Sequence, residues 1–329
     1  MTEARHRGLP RVRPWMALIL GFLVLAGFAA VGDLSELWMH LGRWSLGTIL
    51  GVLGLSLLGY FIRTARWAVY LHRLEIEVPP LESTHIFFAG LVGSITPGKV
   101  GEVIKSVLME SRHGIPVARS APIVLAERVG DLLALILLAT AGVISTGYGL
   151  EVVLAGAALS ALIVGAALWP ALGRWAIKVA SAVPGLGRFT PRLEQARSAT
   201  QELFGTATLF WGVALSLLAW GCEAVGTWWL IASLPGAAAT LAEATFVFAI
   251  ATVAGALTFL PGGLLATEGS MVAMLHGVLK VTPDLTSASA ITLMVRAVTL
   301  WFGVALGGLA LSTYAGRNSD AGGQDKPGL

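Results

Sequence analysis

Cysteine, charge and metal-ligand patterning are all scarce in this chain of 329 residues. The single cysteine, Cys222, excludes an internal disulfide framework and any multi-cysteine zinc or iron–sulfur site. The six histidines (His6, His40, His72, His85, His113 and His276) form no His-x-x-x-His pair, so neither a metal nor another cofactor is expected. Asp, Glu, Lys and Arg make up 12% of the chain, about half the ~25% of a soluble domain. That shortfall excludes a soluble globular enzyme, a disordered protein and a nucleic-acid binder. No Ser–His–Asp set, P-loop or dinucleotide fingerprint is visible either, and no enzymatic activity is expected.

What the chain does have is apolar length. Hydrophobic residues are 56% of it, the mean hydropathy is +0.78, and the apolar runs are continuous. A membrane barrel would alternate apolar and polar residues along short segments, whereas runs of about twenty suit helices crossing a ~30 Å hydrocarbon core. The expected class is an all-α polytopic membrane protein forming a single transmembrane domain. Six full crossings are expected at Trp15–Val31, Leu46–Ile62, Pro122–Thr146, Val152–Pro170, Leu209–Leu234 and Ala288–Tyr314. The first follows Arg5, Arg7, Arg11 and Arg13 in a basic tail over residues 1–14, and is taken as a retained signal anchor.

Two further stretches are interrupted. Glu82–Leu108 is broken at Thr96-Pro97-Gly98, and Leu241–Leu279 at Leu260-Pro261-Gly262-Gly263. The arms of the first are too short for two crossings, so both are expected to be re-entrant helical hairpins, which need protein or a water-filled cavity around the bent backbone. With that arrangement the basic loop clusters fall on one side: the N-terminal arginines; Arg63, Arg66 and Arg73; Lys99, Lys105, Arg112 and Arg119; Arg174, Lys178, Arg188, Arg192 and Arg197; and Arg317 and Lys326. Only Arg43 and Lys280 remain opposite. The expected location is the inner (plasma) membrane, with both termini cytoplasmic by the positive-inside rule.

Residues 46–146 and 207–312 resemble each other. Each opens with a span carrying charge (Arg63 and Arg66; Glu223). A short opening segment follows, LESTHIFFAG or LAEATFVFAI, then a Pro-Gly break and an acid (Glu102; Glu268). Each closes on a span with one arginine, Arg128 or Arg296. The loop charges give the two modules opposite orientation, the inverted-topology repeat used by many secondary transporters. Residues 147–206 connect them through one span and a cytoplasmic linker, and a polar tail over 316–329 is expected to be disordered.

The strongest local signal is TPGKVGEVIKS, Thr96 to Ser106. A helix restarted after Pro97 and Gly98 would present the N–H groups of Val100, Gly101 and Glu102 to an anion, with Lys99 and Lys105 beside them. The second break, through Pro261, Gly262 and Gly263, lacks a lysine but offers the same backbone donors, with Glu268 following. Glu127, Arg128 and Asp131 cluster at the start of an apolar span. A charge at the bilayer centre costs roughly 2.5–3.5 kcal/mol, so these groups, with Glu223, Glu268 and Arg296, must face the protein interior and pair. Arg128 is expected to pair with Glu102 or Glu127, and Arg296 with Glu223 or Glu268. The tryptophans around Glu223 (Trp211, Trp220, Trp228, Trp229) read as an interfacial belt.

TPGKVGE, the downstream AERVGDLLAL, and LPGGLLATEGSMVAML with Arg296 resemble the lysylphosphatidylglycerol synthase transmembrane region family, over about residues 15–315. Arg66-Trp67 matches an arginine–tryptophan pair common in that family, while Leu265 stands where its members usually have glycine. The soluble domain that aminoacylates lipid is not among these residues, so the resemblance implies lipid translocation. A phospholipid, a polyprenyl-phosphate lipid or a hopanoid-type lipid is the expected cargo, and a lipid-modifying enzyme a further candidate partner. The expected function is flipping of a lipid with an anionic or charged head group. Lys99, Lys105 and Arg128, with the broken-helix N-termini, would hold it, and Arg66 would line the same site. Glu102, Glu127, Asp131, Glu223 and Glu268 would balance those charges or relay protons, and Arg296 would mirror Arg128 in the second half. The alternatives are a secondary transporter of a soluble anion and a non-transporting subunit of a lipid-modification pathway. The oligomeric state is not legible.

Overall fold

The computed structural model describes residues 34–182 and 187–321. The basic tail, the expected first span Trp15–Val31 and residues 322–329 lie outside the described residues. Among the described residues all regular structure is helical and no strand occurs. Four helices among the described residues are long and apolar enough to cross a membrane: α2 (Leu46–Arg73), α7 (Leu150–Leu168), α10 (Thr206–Ala232) and the continuous run Leu285–Thr313.

Helix α2 follows a short α1 (Leu34–Leu41) and starts at Ser45, whose Oγ accepts from Thr48 N at 3.0 Å, satisfying one of the orphan donors of the first turn. Its buried residues recur at helical spacing (Val52, Ser56, Gly59, Tyr60, Arg63, Arg66, Trp67, Tyr70), while Leu50, Leu58 and Phe61 face outward. That stripe lies antiparallel on α10, with Val52 against Gly226, Gly59 against Ala219 and Tyr70 against Gly212. Small residues let the two backbones approach, the usual basis of helix packing in lipid. One expectation is corrected here. The span expected over Leu46–Ile62 continues to Arg73, so Arg63 and Arg66 are buried mid-helix residues and not loop charges. Glu223, Asp131 and Ser216 from two other helices hold the guanidinium groups at that depth, which run lengths do not register.

Each interrupted stretch folds as helix, break, helix. In the first, α3 (Pro80–Gly90) leads through 3-10 turns at Leu91–Ile95 and Pro97–Val103 into α4 (Ile104–His113). In the second, α11 (Leu241–Leu257) leads through Pro261–Gly263 into α12 (Ala266–Val272), which continues as a π-helical turn over Ala273–Val278. The two breaks pack on each other. The arms of each close tightly because a glycine faces the partner backbone or a threonine. A Cβ on Gly93 would collide with the backbone of Gly101 and Glu102, and one on Gly255 with the Thr267 side chain.

Helices α5 (Val117–Ser120), α6 (Pro122–Thr146) and α7 follow the first hairpin, and α8 (Pro170–Ala182) and α9 (Thr190–Leu203) precede α10. At one end, Arg119 donates to Glu202 at 2.7 and 3.1 Å and to Leu74 O at 2.9 Å, joining α2, α5 and α9. At the other end Trp44 Nε1 donates to Leu230 O at 2.9 Å, and Ala238 N to Val281 O at 2.9 Å. The last span comprises α13 (Leu285–Arg296), a π-helical turn over Ala297–Trp301, and α14 (Phe302–Ala321). Helix α14 thus takes in residues 316–321, which the polarity of the tail had assigned to disorder.

Candidate functional site

A cavity of about 220 Å³ lies among α2, α6, α7, α10, α11 and the two breaks. One part of its wall is charged: Arg63, Arg66, Lys99, Glu102, Glu127, Arg128, Asp131, Glu223 and Arg296. Another is apolar, with Leu135 of α6, Leu159 and Ile163 of α7, Phe248 of α11 and Leu300. Tyr60 closes one side, its hydroxyl donating to Thr299 O at 2.5 Å in the π-helical turn after Arg296.

The charges are organised as pairs. Arg63 Nη1 donates to Glu223 Oε1 at 2.6 Å, tying α2 to α10. Arg66 Nη1 donates to Asp131 Oδ1 at 2.5 Å and also to Ser216 Oγ, tying α2 to both α6 and α10. Lys105 Nζ donates to Glu127 Oε2 at 2.6 Å and reaches Glu102 at 3.4 Å. Arg128 Nη2 lies 3.3 Å from Glu102 and 3.2 Å from Asp131. Arg296 Nε donates to Glu268 Oε1 at 2.7 Å and Nη2 to Gly262 O at 2.6 Å. Of the two acids expected for each arginine, Arg128 meets Glu102 and Arg296 meets Glu268, while Glu127 pairs with Lys105 and Glu223 with Arg63. In each half, the arginine of the closing span meets the acid that follows that half's own break.

Among the described residues five cations pair with five acids, and a sixth cation at the site leaves an excess of one positive charge. Lys99 is the cation without an ion pair among the described residues. It lines the cavity, and its Nζ lies 5.7 Å from the centroid of the Trp220 ring. Its backbone is held at φ +57°, beside Gly98 at φ +58°, and this left-handed turn carries the side chain at the break.

Several expectations change in detail. Lys105 is 1% exposed, stacked beside Trp67 and Phe87, and does not line the cavity. From behind the wall it neutralises Glu127, which lines it, and Glu268 likewise stands behind. The backbone donors of the first break are partly occupied: Thr96 Oγ1 accepts from Gly101 N at 2.7 Å, and Lys99 N donates to Thr96 O at 2.9 Å. Residues Pro97–Val103 form a distorted 3-10 turn, not the first turn of an α-helix, so the N–H groups do not converge as a helix N-terminus would present them. The second break works in the opposite sense, its Gly262 carbonyl accepting from Arg296 while Gly263 N and Leu264 N donate to Leu260 O and Pro261 O.

Three residues of the site escaped sequence reasoning. Trp220 is not part of a belt: it is 7% exposed, its indole donates to Asp131 at 3.1 Å, and Arg63 stacks on it at 4.3 Å. The signal was its position three residues before Glu223, on the same helix face. Arg63 was equally legible, three residues before Arg66, yet counted as a loop charge. Tyr60, one turn earlier again, completes the stripe.

A family model for the lysylphosphatidylglycerol synthase TM region matches residues 18–307. The chain belongs to this family. A UPF0104 membrane protein of Methanothermobacter thermautotrophicus is 24% identical over 346 aligned positions, spanning 96% of this chain and 98% of that protein. As a member of the lysylphosphatidylglycerol synthase TM region family, this chain has a membrane protein's helices and a site set inside them. One position shows its own physics. Leu265 adopts φ +67°, ψ −46° and is 59% exposed, a backbone conformation near a rare and strained turn geometry that a Cβ disfavours.

Proposed function

We propose that the protein moves a lipid with an anionic head group between membrane leaflets. The observation that carries this is Lys99, the unpaired cation facing a cavity whose other wall is apolar. An amphiphile satisfies both walls at once. Its anionic head cancels the excess charge beside Lys99 and Arg128, and its chain lies along Leu135, Leu159, Ile163 and Phe248. The family's TM-region character supports a role in the membrane. The ion pairs hold the remaining charges for a structural reason, since an uncompensated charge there is costly, and no nucleophile–base pair among them suggests catalysis.

In this reading the protein has six crossings and two re-entrant hairpins, with both termini cytoplasmic. Arms of 11 and 10 residues (α3 and α4) extend about 15 Å each at 1.5 Å per residue, half of a ~30 Å core. Contact between the two breaks fits hairpins that enter from opposite sides. The matching Arg–acid pairs and the glycine-closed arms fit an inverted repeat. With Arg63, Arg66, Lys99 and Lys105 set aside, Arg73, Arg112, Arg119 and the basic residues of α8 and α9 still lie on one side.

The test is reconstitution. Vesicles containing the protein should make fluorescent phosphatidylglycerol in the inner leaflet accessible to an impermeant quencher. A charged contact is worth about 1.5–3 kcal/mol, so Lys99→Gln should weaken head-group binding roughly tenfold or more. Lys99→Glu should abolish movement, and Arg43→Glu at the far end should leave it unchanged. Parental rates in both Lys99 variants would refute the head-group site. Absence of movement with the parent protein would refute transport and favour a recruiting subunit.

A further inference from the structure

Helix α8 begins at Pro170, two residues after the span α7 ends at Leu168. So short a tether keeps it at the level where α7 leaves the hydrocarbon. At 100° per residue its side chains divide into three faces. Gly173, Ile177 and Ala180 are half-buried against the body, Gly173 lying over the stem of Arg197. Leu172, Trp175 and Val179 are exposed at 39%, 62% and 44%, and Trp169 just before the helix at 63%. Arg174 and Lys178 are exposed on the third face.

Lone apolar residues on a surface mean little, but a stripe next to a basic stripe does. An in-plane interfacial helix has this division, with apolar and tryptophan residues in the acyl boundary and lysine or arginine at the head groups. The sequence from Pro170 to Leu193 carries Arg174, Lys178, Arg188 and Arg192 and no acid, so its charge complements an anionic leaflet. A second copy of the chain would have to cover the apolar stripe while leaving these like charges facing one another.

We propose that α8 is an interfacial helix that binds anionic lipid at the membrane surface beside α7. The consequence is local. Helix α7 also supplies Leu159 and Ile163 to the cavity wall, so lipid enriched at α8 stands next to that wall. The binding itself does not depend on whether the cavity transports anything.

The test uses the full chain with Cys222→Ser, a single Val179→Cys or Ser181→Cys substitution, and an environment-sensitive fluorophore on that cysteine. The protein is placed in phosphatidylcholine vesicles carrying a tracer of spin-labelled phosphatidylglycerol or spin-labelled phosphatidylcholine. The probe at 179 should be quenched strongly and the probe at 181 weakly. Labelled phosphatidylglycerol should quench more than labelled phosphatidylcholine, by a local enrichment of about fivefold per basic residue. Adding Arg174→Glu and Lys178→Glu should erase that preference while the protein stays monodisperse. Equal quenching by the two lipids in the parent, a preference that survives the charge reversal, or a probe at 179 no more accessible than one at 181 would each overturn the proposal.

Discussion

Glu268→Gln gives the sharpest test of the paired-charge architecture. Glu268 and Arg296 have side chains only 4% and 10% exposed, with Nε and Oε1 2.7 Å apart. Loss of the carboxylate charge leaves a buried guanidinium without its counter-charge, with only neutral acceptors in Gly262 O and the new amide oxygen. Breaking a buried pair by removing one partner typically destabilises by ~3–5 kcal/mol. The surviving hydrogen bond to Gly262 and the adjoining cavity argue for the lower end, about 3 kcal/mol. At roughly 2 °C per kcal/mol for a chain of this size, Tm should fall by about 6 °C. Arg296→Met should cost as much or more, because it strands both the Glu268 carboxylate and the Gly262 carbonyl. The double variant removes both charges together and should lose no more than the worse single, a coupling of at least about 3 kcal/mol. The corresponding pair in the first half, Arg128–Glu102, is longer at 3.3 Å, shared with Asp131 and 24% exposed on the arginine side, so its coupling should stay below about 1 kcal/mol. Thermal unfolding in one detergent at one scan rate measures all of these. Additive losses at Glu268 and Arg296 would refute the pairing as a source of stability.

Other outcomes follow from local geometry. Leu265→Gly should raise stability by about 0.5–1 kcal/mol, since relief of ~1–2 kcal/mol of backbone strain exceeds the added freedom of glycine in the unfolded chain; a fall in Tm would count against the strain. Gly93→Ala should destabilise by at least about 2 kcal/mol, because its Cβ would meet the backbone of Gly101 and Glu102, whereas Gly165→Ala, with open space around it, should be neutral; comparable Tm values for the two would refute the close approach of the hairpin arms. At the surface, the hydrogen bond from Arg119 holds the Glu202 carboxyl below the usual carboxylate range. A depressed folded-state value means that its stabilisation is present above the unfolded pKa and is lost as pH falls through the folded one. The stability difference between the parent and Arg119→Gln should therefore be constant near neutrality and shrink in acid to the share of the Arg119–Leu74 hydrogen bond, which does not titrate. A difference that stays constant into strong acid would contradict this linkage.

The sequence by itself determined the solvent this protein lives in and the places where its helices break. Runs of apolar residues long enough to cross a bilayer, at half the usual charge, leave a helical membrane protein as the answer. Proline and glycine at 97–98 and 261–263 mark the interruptions because they remove donors and admit positive φ wherever they occur. That Arg128 and Arg296 each pair with one of two acids is also legible, because a charge in an apolar helix must find a counter-charge and few are on offer; which of the two it meets is not. Tertiary structure alone decided which cation is left over. Lys99 and Lys105 are alike in sequence, six residues apart on one motif. Packing buries Lys105 against Glu127 from another helix and turns Lys99 into the cavity. It likewise places Arg63 and Trp220 inside, where run lengths and belt statistics had put them at an edge. Pairing across helices depends on approach distances and on what else fills the space. Spacing along one chain carries no information about either.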